Sequence, residues 1–449
     1  MAKHTFYLPS PRKPATRGRG SLAFSDIKTE IADFGMGMNL ALTRAVGFFS
    51  FRSHRKSPES GKIRKARPGL SRIFPSFAQV LPISLPMSNI SSRPSGRLAS
   101  LDVLRGFDLF LLVFLQPVLW GLLNQWESPL AQALLFQLDH EIWEGFRCWD
   151  LVMPLFLFMS GISMPFALSK YLRDECPRTE ALRKVLRRFV ILFLLGMVVQ
   201  GNLLWLKWEY VQPFTNTLQA IAVGYLVTAL ILLSRLSLGR QMLVAVGLLA
   251  AYTIPMMWVG DYTMEGNLAC RIDALVLGSR RGDPTYAWLL PSLNFAVTVW
   301  LGAWAGQLIR RAGVASWRTS LQLAGVGLLL IALGLLWSLD MPIVKRIWTS
   351  SMTLYSGGWC FLLMAAFYQV IDVWQVQRPF AWLKVYGMNS IVAYVVGEVV
   401  NFRSIVESVS YGLAEPLGSY YTVWLTFGNF LLLLLILTLM YRARIFVKV

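Results

Sequence analysis

Three histidines occur in the 449 residues, and two of them, His4 and His54, lie in a basic leader. The third, His140, sits in "LDHEIWEGFRCWDLVMP" (138–154), with Asp139, Glu141, Glu144 and Asp150 close by and Trp143, Arg147 and Trp149 between them. An imidazole is the usual general base near neutral pH, and a neighbouring carboxylate fixes its tautomer and strengthens it. Glu141, Glu144 and Asp150 are the candidate orienting groups, and spacing does not choose among them. The ordinary alternative is an interfacial loop whose tryptophans join an aromatic belt and whose charges are solvated.

Other stretches carry chemistry-bearing groups. In "RLASLDVLRGFD" (97–108), Asp102, Arg105 and Asp108 stand at i, i+3 and i+6, so they share one helix side. That is either an ion-paired helix end or a place where Arg105 grips a phosphate bidentately. In "GMNSIVAYVVGEVV" (387–400), Asn389 and Glu398 are nine residues apart, about 13.5 Å along a helix. A carboxylate inside an apolar span is a functional candidate by default; here the alternative is a partner for an outer-loop arginine. "VKRIWTSS" (344–351) places Lys345 and Arg346 where a membrane protein tends to avoid cations, which points to an anionic group or paired carboxylates. Asn389 and Lys345 are also candidate donors to a developing oxyanion. Asp273, in "EGNLACRIDALVLG", reads as structural, and the apolar-flanked Gln219 as a helix–helix hydrogen bond.

These groups are embedded in a chain that is 55% hydrophobic and only 15% charged. Soluble domains average about 25% charged residues, so the composition indicates a polytopic membrane protein. The net charge of +19 suggests nucleic acid at first, but residues 1–96 hold 16 Lys and Arg against 4 acids, and the remainder is nearly balanced. No nucleic-acid partner is implied. Four cysteines without a CxxC pair argue against a zinc or redox centre, and no metal is expected.

Residues 1–96 are rich in Arg, Lys, Ser and Pro and contain no apolar run long enough to span. They read as a disordered leader, with Met87 as an alternative start and a transit peptide as a further option. Residues 97–449 form the membrane domain. About ten apolar segments of roughly 20 residues follow, near 104–123, 149–169, 187–206, 217–234, 241–259, 288–310, 318–339, 350–372, 386–402 and 419–440. In lipid they must be helices, which predicts an all-α bundle. With the N-terminus inside, 19 Lys and Arg fall in inner segments and 8 in outer ones, so both termini are predicted to be cytoplasmic. His140 then lies in the first outer loop.

The ordered set "RLASLDVLRGFD", "DHEIWEGFRCWDLVMPLFLFMSG", "GNLACRID", "KRIWTSS" and "GMNSIVAYVVGE" resembles the heparan-alpha-glucosaminide N-acetyltransferase family, including its bacterial homologues. The resemblance covers nearly all of 97–449. It implies transfer of an acetyl group from cytoplasmic acetyl-CoA to an amino sugar or related glycan beyond the membrane. His140 is then the catalytic histidine of an HxxWxG context, with Trp143 and Gly145, followed by Asp150–Pro154 and Gly387–Ser390. The residue reading and the resemblance together nominate His140, Asp150, Glu144 and Asn389 for chemistry, Trp143, Lys345 and Glu398 for the substrate, and Arg105 for the donor. One departure stands out: where the lysosomal enzyme has a glycine-rich segment with an asparagine, this chain has "LQPVLWGLLNQWE". The expected setting is a bacterial cytoplasmic membrane, with the bilayer, acetyl-CoA and a saccharide as partners and a homo-oligomer compatible with them. The competing function is a sugar or anion transporter, with Glu398, Gln219 and Arg105 lining a pathway; no internal repeat of the kind transporters show is evident.

Overall fold

The computed structural model describes residues 98–126, 128–173, 175–201 and 211–447. The leader, and with it the expectations placed on 1–96, lies outside the described residues. The described part is helical, and its one extended pairing is an isolated antiparallel bridge between Glu144 and Val344. In chain order the principal helices are α1 (Ala99–Leu123), α2 (Pro129–Gln137), α3 (Cys148–Ala167), α4 (Arg178–Val199), α5 (Thr217–Leu233), α6 (Leu238–Val259) and α7 (Leu268–Leu277). They continue with α8 (Ser292–Ala312), α9 (Trp317–Trp337), α10 (Ser350–Val373), α11 (Ala381–Met388), α12 (Ser390–Val399), α13 (Phe402–Ser410) and α14 (Tyr421–Arg442).

Each of the ten apolar segments overlaps a helix among the described residues, but helix and span are not the same thing. Among the described residues, six helical stretches are long and apolar enough to cross a membrane: α1, α3, α6, α9, α10 and Phe402–Arg442. α5 and α12 are apolar but shorter. α8 falls outside this group for a physical reason. It is largely enclosed by other helices and buries Asn294 and Thr298 at zero exposure, so its surroundings are protein and it need not be uniformly apolar. α4 opens with Arg178, Arg183, Lys184, Arg187 and Arg188, and its apolar half comes afterwards. On the outside of the bundle, Leu243, Val246, Leu328, Leu336, Leu435 and Leu439 are exposed, as a lipid-facing surface requires.

α8 packs against α3 and α5, α9 against α10, and α11 against α1. The α3–α8 crossing is close because both helices present glycine there. A Cβ on Gly302 would stand 1.9 Å from the Phe158 carbonyl oxygen, and one on Gly161 would stand 1.9 Å from that of Val299. Small residues four apart, here Gly302 and Gly306, are the usual means by which membrane helices bring backbones together. α3, α5 and α8 therefore pack as one block. Their far ends are also tied: Arg235, after α5, donates to the Tyr171 carbonyl at 3.3 Å, and Arg310, in the last turn of α8, donates to that of Pro165 at 2.8 Å. Cations gather at this end, and the near ends of the three helices converge on a cavity.

Candidate active site

The segment that carries His140 is irregular, and three devices fold it. Gly145 adopts φ +128°, a conformation that L side chains rarely take, and its N–H donates to the Ile343 carbonyl at 2.9 Å, beside the Glu144–Val344 bridge. Arg147, nearly buried, forks onto Glu141 (Nε–Oε2 2.8 Å, Nη2–Oε1 3.1 Å) and lies over the Phe136 ring at 3.8 Å. That hydrogen-bonded guanidinium holds the Glu141 carboxyl below the usual glutamate range. The third device is Asp150, wholly buried in the first turn of α3. Its Oδ2 accepts from the backbone N–H groups of Glu141 (3.2 Å) and Arg147 (3.0 Å).

The other oxygen of Asp150 does different work. Oδ1 lies 2.8 Å from His140 Nδ1 and 3.1 Å from Lys345 Nζ, and Nζ is 2.9 Å from the same Nδ1. A carboxylate can only accept, so a proton on Nδ1 satisfies the 2.8 Å contact, whereas the opposite tautomer would set two lone pairs against each other. Lys345 then donates to the charged oxygen, and its approach to the protonated Nδ1 is a close contact, not a hydrogen bond. Nε2 is left with the free lone pair of the ring. The Lys345 side chain is 7% exposed, and burial pulls its ammonium below the usual lysine range while Asp150 pulls the other way. His140 is open, with 45% of its side chain exposed.

Lys345 reaches this point because its own loop is tightly folded. The Val344 N–H donates to Thr349 Oγ1 at 3.1 Å, and Trp348 sits at φ +48° with its ring buried. The Trp348 Nε1–H reaches Thr298 Oγ1 at 3.2 Å, and its carbonyl accepts from Asn294 of α8 at 2.7 Å. The two polar residues that α8 buries thus anchor the loop that delivers the lysine.

His140, Lys345 and Glu398 line one cavity of about 390 Å³, together with Trp149, Asn216, Asp283, Tyr286 and Trp288. Four sequence-nominated residues are elsewhere. Trp143 donates to the Tyr262 carbonyl at 2.8 Å and packs in a neighbouring apolar cluster. Glu144 is exposed, its backbone engaged in the bridge. Asn389 is buried where α11 gives way to α12; its amide donates to the Ile445 carbonyl at 3.0 Å and accepts from the Val447 N–H at 3.1 Å, clipping the C-terminal segment. Arg105 lies 3.7 Å from Asp102 and donates to the Met159 carbonyl at 3.3 Å. It stands seven residues, roughly 10 Å of helix, before Leu112, where α1 meets the cavity.

Among the described residues, Gln219 makes no interhelical bond of the kind expected. Its Oε1 accepts from the N–H groups of Thr215 and Asn216 at 2.7 and 2.9 Å, completing a capping box at the start of α5. The N-T-L-Q pattern at 216–219 is the sequence signal for that cap. It could have flagged Asn216, a cavity residue that sequence reasoning missed. Asp273 fulfils its structural expectation: it accepts from the Trp288 and Leu289 N–H groups at 2.6 and 3.1 Å, and so fixes Trp288 in the wall. Tyr286 and Trp288, with ring centroids 6.1 Å apart and planes at 23°, carry no local sequence signal at all.

Residues 97–340 match the family described as heparan-alpha-glucosaminide N-acetyltransferase, catalytic. The chain belongs to that family. Among its relatives is the human heparan-alpha-glucosaminide N-acetyltransferase, 26% identical over 369 residues, which cover 68% of this chain and 53% of the human protein. The mouse protein of the same name is 24% identical over 371 residues, covering 68% of this chain and 54% of its own length. The chain thus spans about half the length of the curated relatives it matches. Within this family member, His140 and Asp150 fall inside the matched catalytic segment, whereas Lys345, Asn389 and Glu398 lie beyond its end at residue 340.

Proposed function

We propose that the protein is a membrane-embedded acetyltransferase that moves an acetyl group from acetyl-CoA to an amino sugar or related glycan. The observation that carries this is the buried Asp150 carboxylate holding His140 Nδ1 at 2.8 Å with Nε2 free at a cavity wall. An amine acceptor must lose a proton before it can attack, because an ammonium has no lone pair. Nε2 accepts that proton and releases it to water; the amine nitrogen then bonds to the thioester carbonyl carbon, its second proton passes to Nε2, and the carbon–sulfur bond breaks. The CoA thiolate then takes the proton from His140. The variant in which Nε2 itself carries the acetyl group uses the same residues, and rapid-quench trapping of acetyl-histidine distinguishes the two.

The family relationship and the helix polarity support the direction of transfer. α3, α5 and α8 run from the cavity to the end carrying Lys170, Arg173, Arg235, Arg310 and Arg311. Cations concentrate on the cytoplasmic side of membrane proteins, and they suit the phosphates of CoA. Both termini are then cytoplasmic, the cavity opens on the far side, and the setting is a bacterial inner membrane. Asn389 is spent on the C-terminal segment and Lys345 on Asp150, so neither is assigned as an oxyanion donor. The test is purified full-length protein with radiolabelled acetyl-CoA and a panel of amino sugars. Acetyl transfer lost in His140→Ala is the expected result. No transfer to any acceptor, combined with sugar flux across proteoliposomes, would establish a transporter instead.

A further inference from the structure

Among the described residues, four acidic or basic side chains line the cavity, and three of them have an ionic or hydrogen-bonding partner. Lys345 is paired with Asp150 at 3.1 Å, and His140 is bound to the same carboxylate. Asp283 faces Arg346 at 3.5 Å and accepts from the Thr285 hydroxyl and N–H. Glu398, the fourth, makes no hydrogen bond or ion pair among the described residues. Arg403, five residues further on and the outer arginine that sequence alone offers as its counterion, is not bonded to it. Among the described residues the paired groups cancel, and Glu398 is left without a counterion.

Helix position makes this carboxylate conspicuous for a second reason. Glu398 stands in the last turn of α12 (Ser390–Val399), next to the negative end of the helix dipole, where an anion is disfavoured. The rest of that helix is apolar. Glu398 is exposed at the cavity and is open to a ligand; neither local structure nor packing gains from an acid here, but a cationic ligand would.

We infer that Glu398 is the acceptor-recognition residue, taking the protonated amine of the incoming sugar by a charge-assisted hydrogen bond. This deepens the acetyltransferase reading and rests on it. An ammonium offers three N–H donors; Glu398 accepts one, and another remains for His140 Nε2 in the same cavity. The Tyr286 and Trp288 rings, also in the wall, supply flat apolar surface for the C–H face of a pyranose. Neutral sugars, which lack the charge, lose the interaction that distinguishes the site. Glu398 thereby sets acceptor specificity, while His140 and Asp150 set the rate.

The experiment compares wild type with Glu398→Gln and Glu398→Asp in full-length protein purified in detergent. Glucosamine and acetyl-CoA are varied separately, and glucosamine and glucose binding are measured by calorimetry. Glu398→Gln should raise the KM and Kd for glucosamine about 10-fold or more, with the acetyl-CoA KM unchanged. Glu398→Asp should recover much of the loss, and glucose binding should not respond. An unchanged glucosamine KM and Kd in a folded Glu398→Gln protein overturns the assignment. So does an equal rise in the acetyl-CoA KM that Glu398→Asp does not recover, which marks a structural role. If wild type transfers no acetyl group, the acetyltransferase reading fails separately, and the calorimetric comparison still decides whether Glu398 binds an amine.

Discussion

Asp150→Asn probes the site most sharply, because the four contacts of Asp150 dictate what an amide must do. Oδ2 faces two backbone N–H groups and Oδ1 faces His140 Nδ1 and Lys345 Nζ, so all four neighbours are donors. An asparagine offers one oxygen and one NH2. With its NH2 toward Glu141 and Arg147 it opposes two fixed backbone donors that cannot rotate away. With its NH2 toward His140 and Lys345 it opposes a ring that can change tautomer and an ammonium on a rotatable stem. The second arrangement wins, and the proton moves from Nδ1 to Nε2. The lone pair needed in the cavity is then gone, although every atom is nearly in place. A tautomer error of this kind costs about 10⁴ in kcat where it has been measured in a Ser-His-Asp site, and general base catalysis as a whole is worth about 10²–10⁴. The expected loss here is about 10²–10⁴-fold, equivalent to roughly 3–5 kcal/mol of barrier. Single-turnover transfer from labelled acetyl-CoA measures it, with CoA binding and the thermal midpoint confirming a folded protein. Activity within threefold of wild type would refute the assignment of Asp150 as the tautomer-fixing group.

Other expectations follow from the same contacts. Lys345→Met removes one partner of a buried ion pair but leaves Asp150 three donors, so stability should fall by about 2–4 kcal/mol, below the upper end for orphaned buried charges; denaturation in detergent reads this. The Glu141 carboxyl is held below its ordinary range by Arg147, so its contribution is present above about pH 4.3 and lost as pH falls through the lowered value. Glu141→Gln should therefore flatten the acid side of the stability profile, and an unchanged profile would count against the clamp. Gly302→Ala places a Cβ against the Phe158 carbonyl and should cost about 1–3 kcal/mol or more through separation of α3 and α8, seen as a lower thermal midpoint and lost transfer. Asp108, at zero exposure on α1 with neither carboxylate oxygen hydrogen-bonded among the described residues, contributes nothing by pairing. Asp108→Asn should leave the midpoint equal or higher, and a marked fall would reveal an interaction that the fold does not display.

The sequence exposes the chemistry of His140 because the other two histidines lie in the leader, and it exposes Lys345 because a cation there breaks the charge bias. It does not single out Asp150 from Glu141 and Glu144. Those residues occupy an irregular loop, where no helical or strand period says which side chains meet. The choice is made by tertiary contacts: Arg147 takes Glu141, the bridge to Val344 turns Glu144 outward, and the first turn of α3 buries Asp150. Helices are legible from apolar runs, but the enclosure of α8 is not, since its polar Asn294 and Thr298 weaken the very signal that marks a span. Asn389 shows the converse error. Its position near one end of a span was readable, but its commitment to Ile445 and Val447 depends on where the C-terminal segment returns. Tyr286 and Trp288 were invisible for the same reason: the wall exists only once Asp273, fifteen residues before Trp288, has gathered their backbone.

The contact between Asp150 and Lys345 has a consequence for how the protein is made. The two residues are 195 positions apart. Ribosomes add about 5–20 residues per second, so Asp150 emerges about 10–40 s before its cation does. For that interval α3 carries an uncompensated acid at its entrance, with only local backbone N–H groups and the imidazole to hold it. The nascent chain therefore favours keeping this end of α3 at the water-facing boundary until the 342–349 loop arrives. Competence is acquired late, when a segment made six helices later docks onto the first loop.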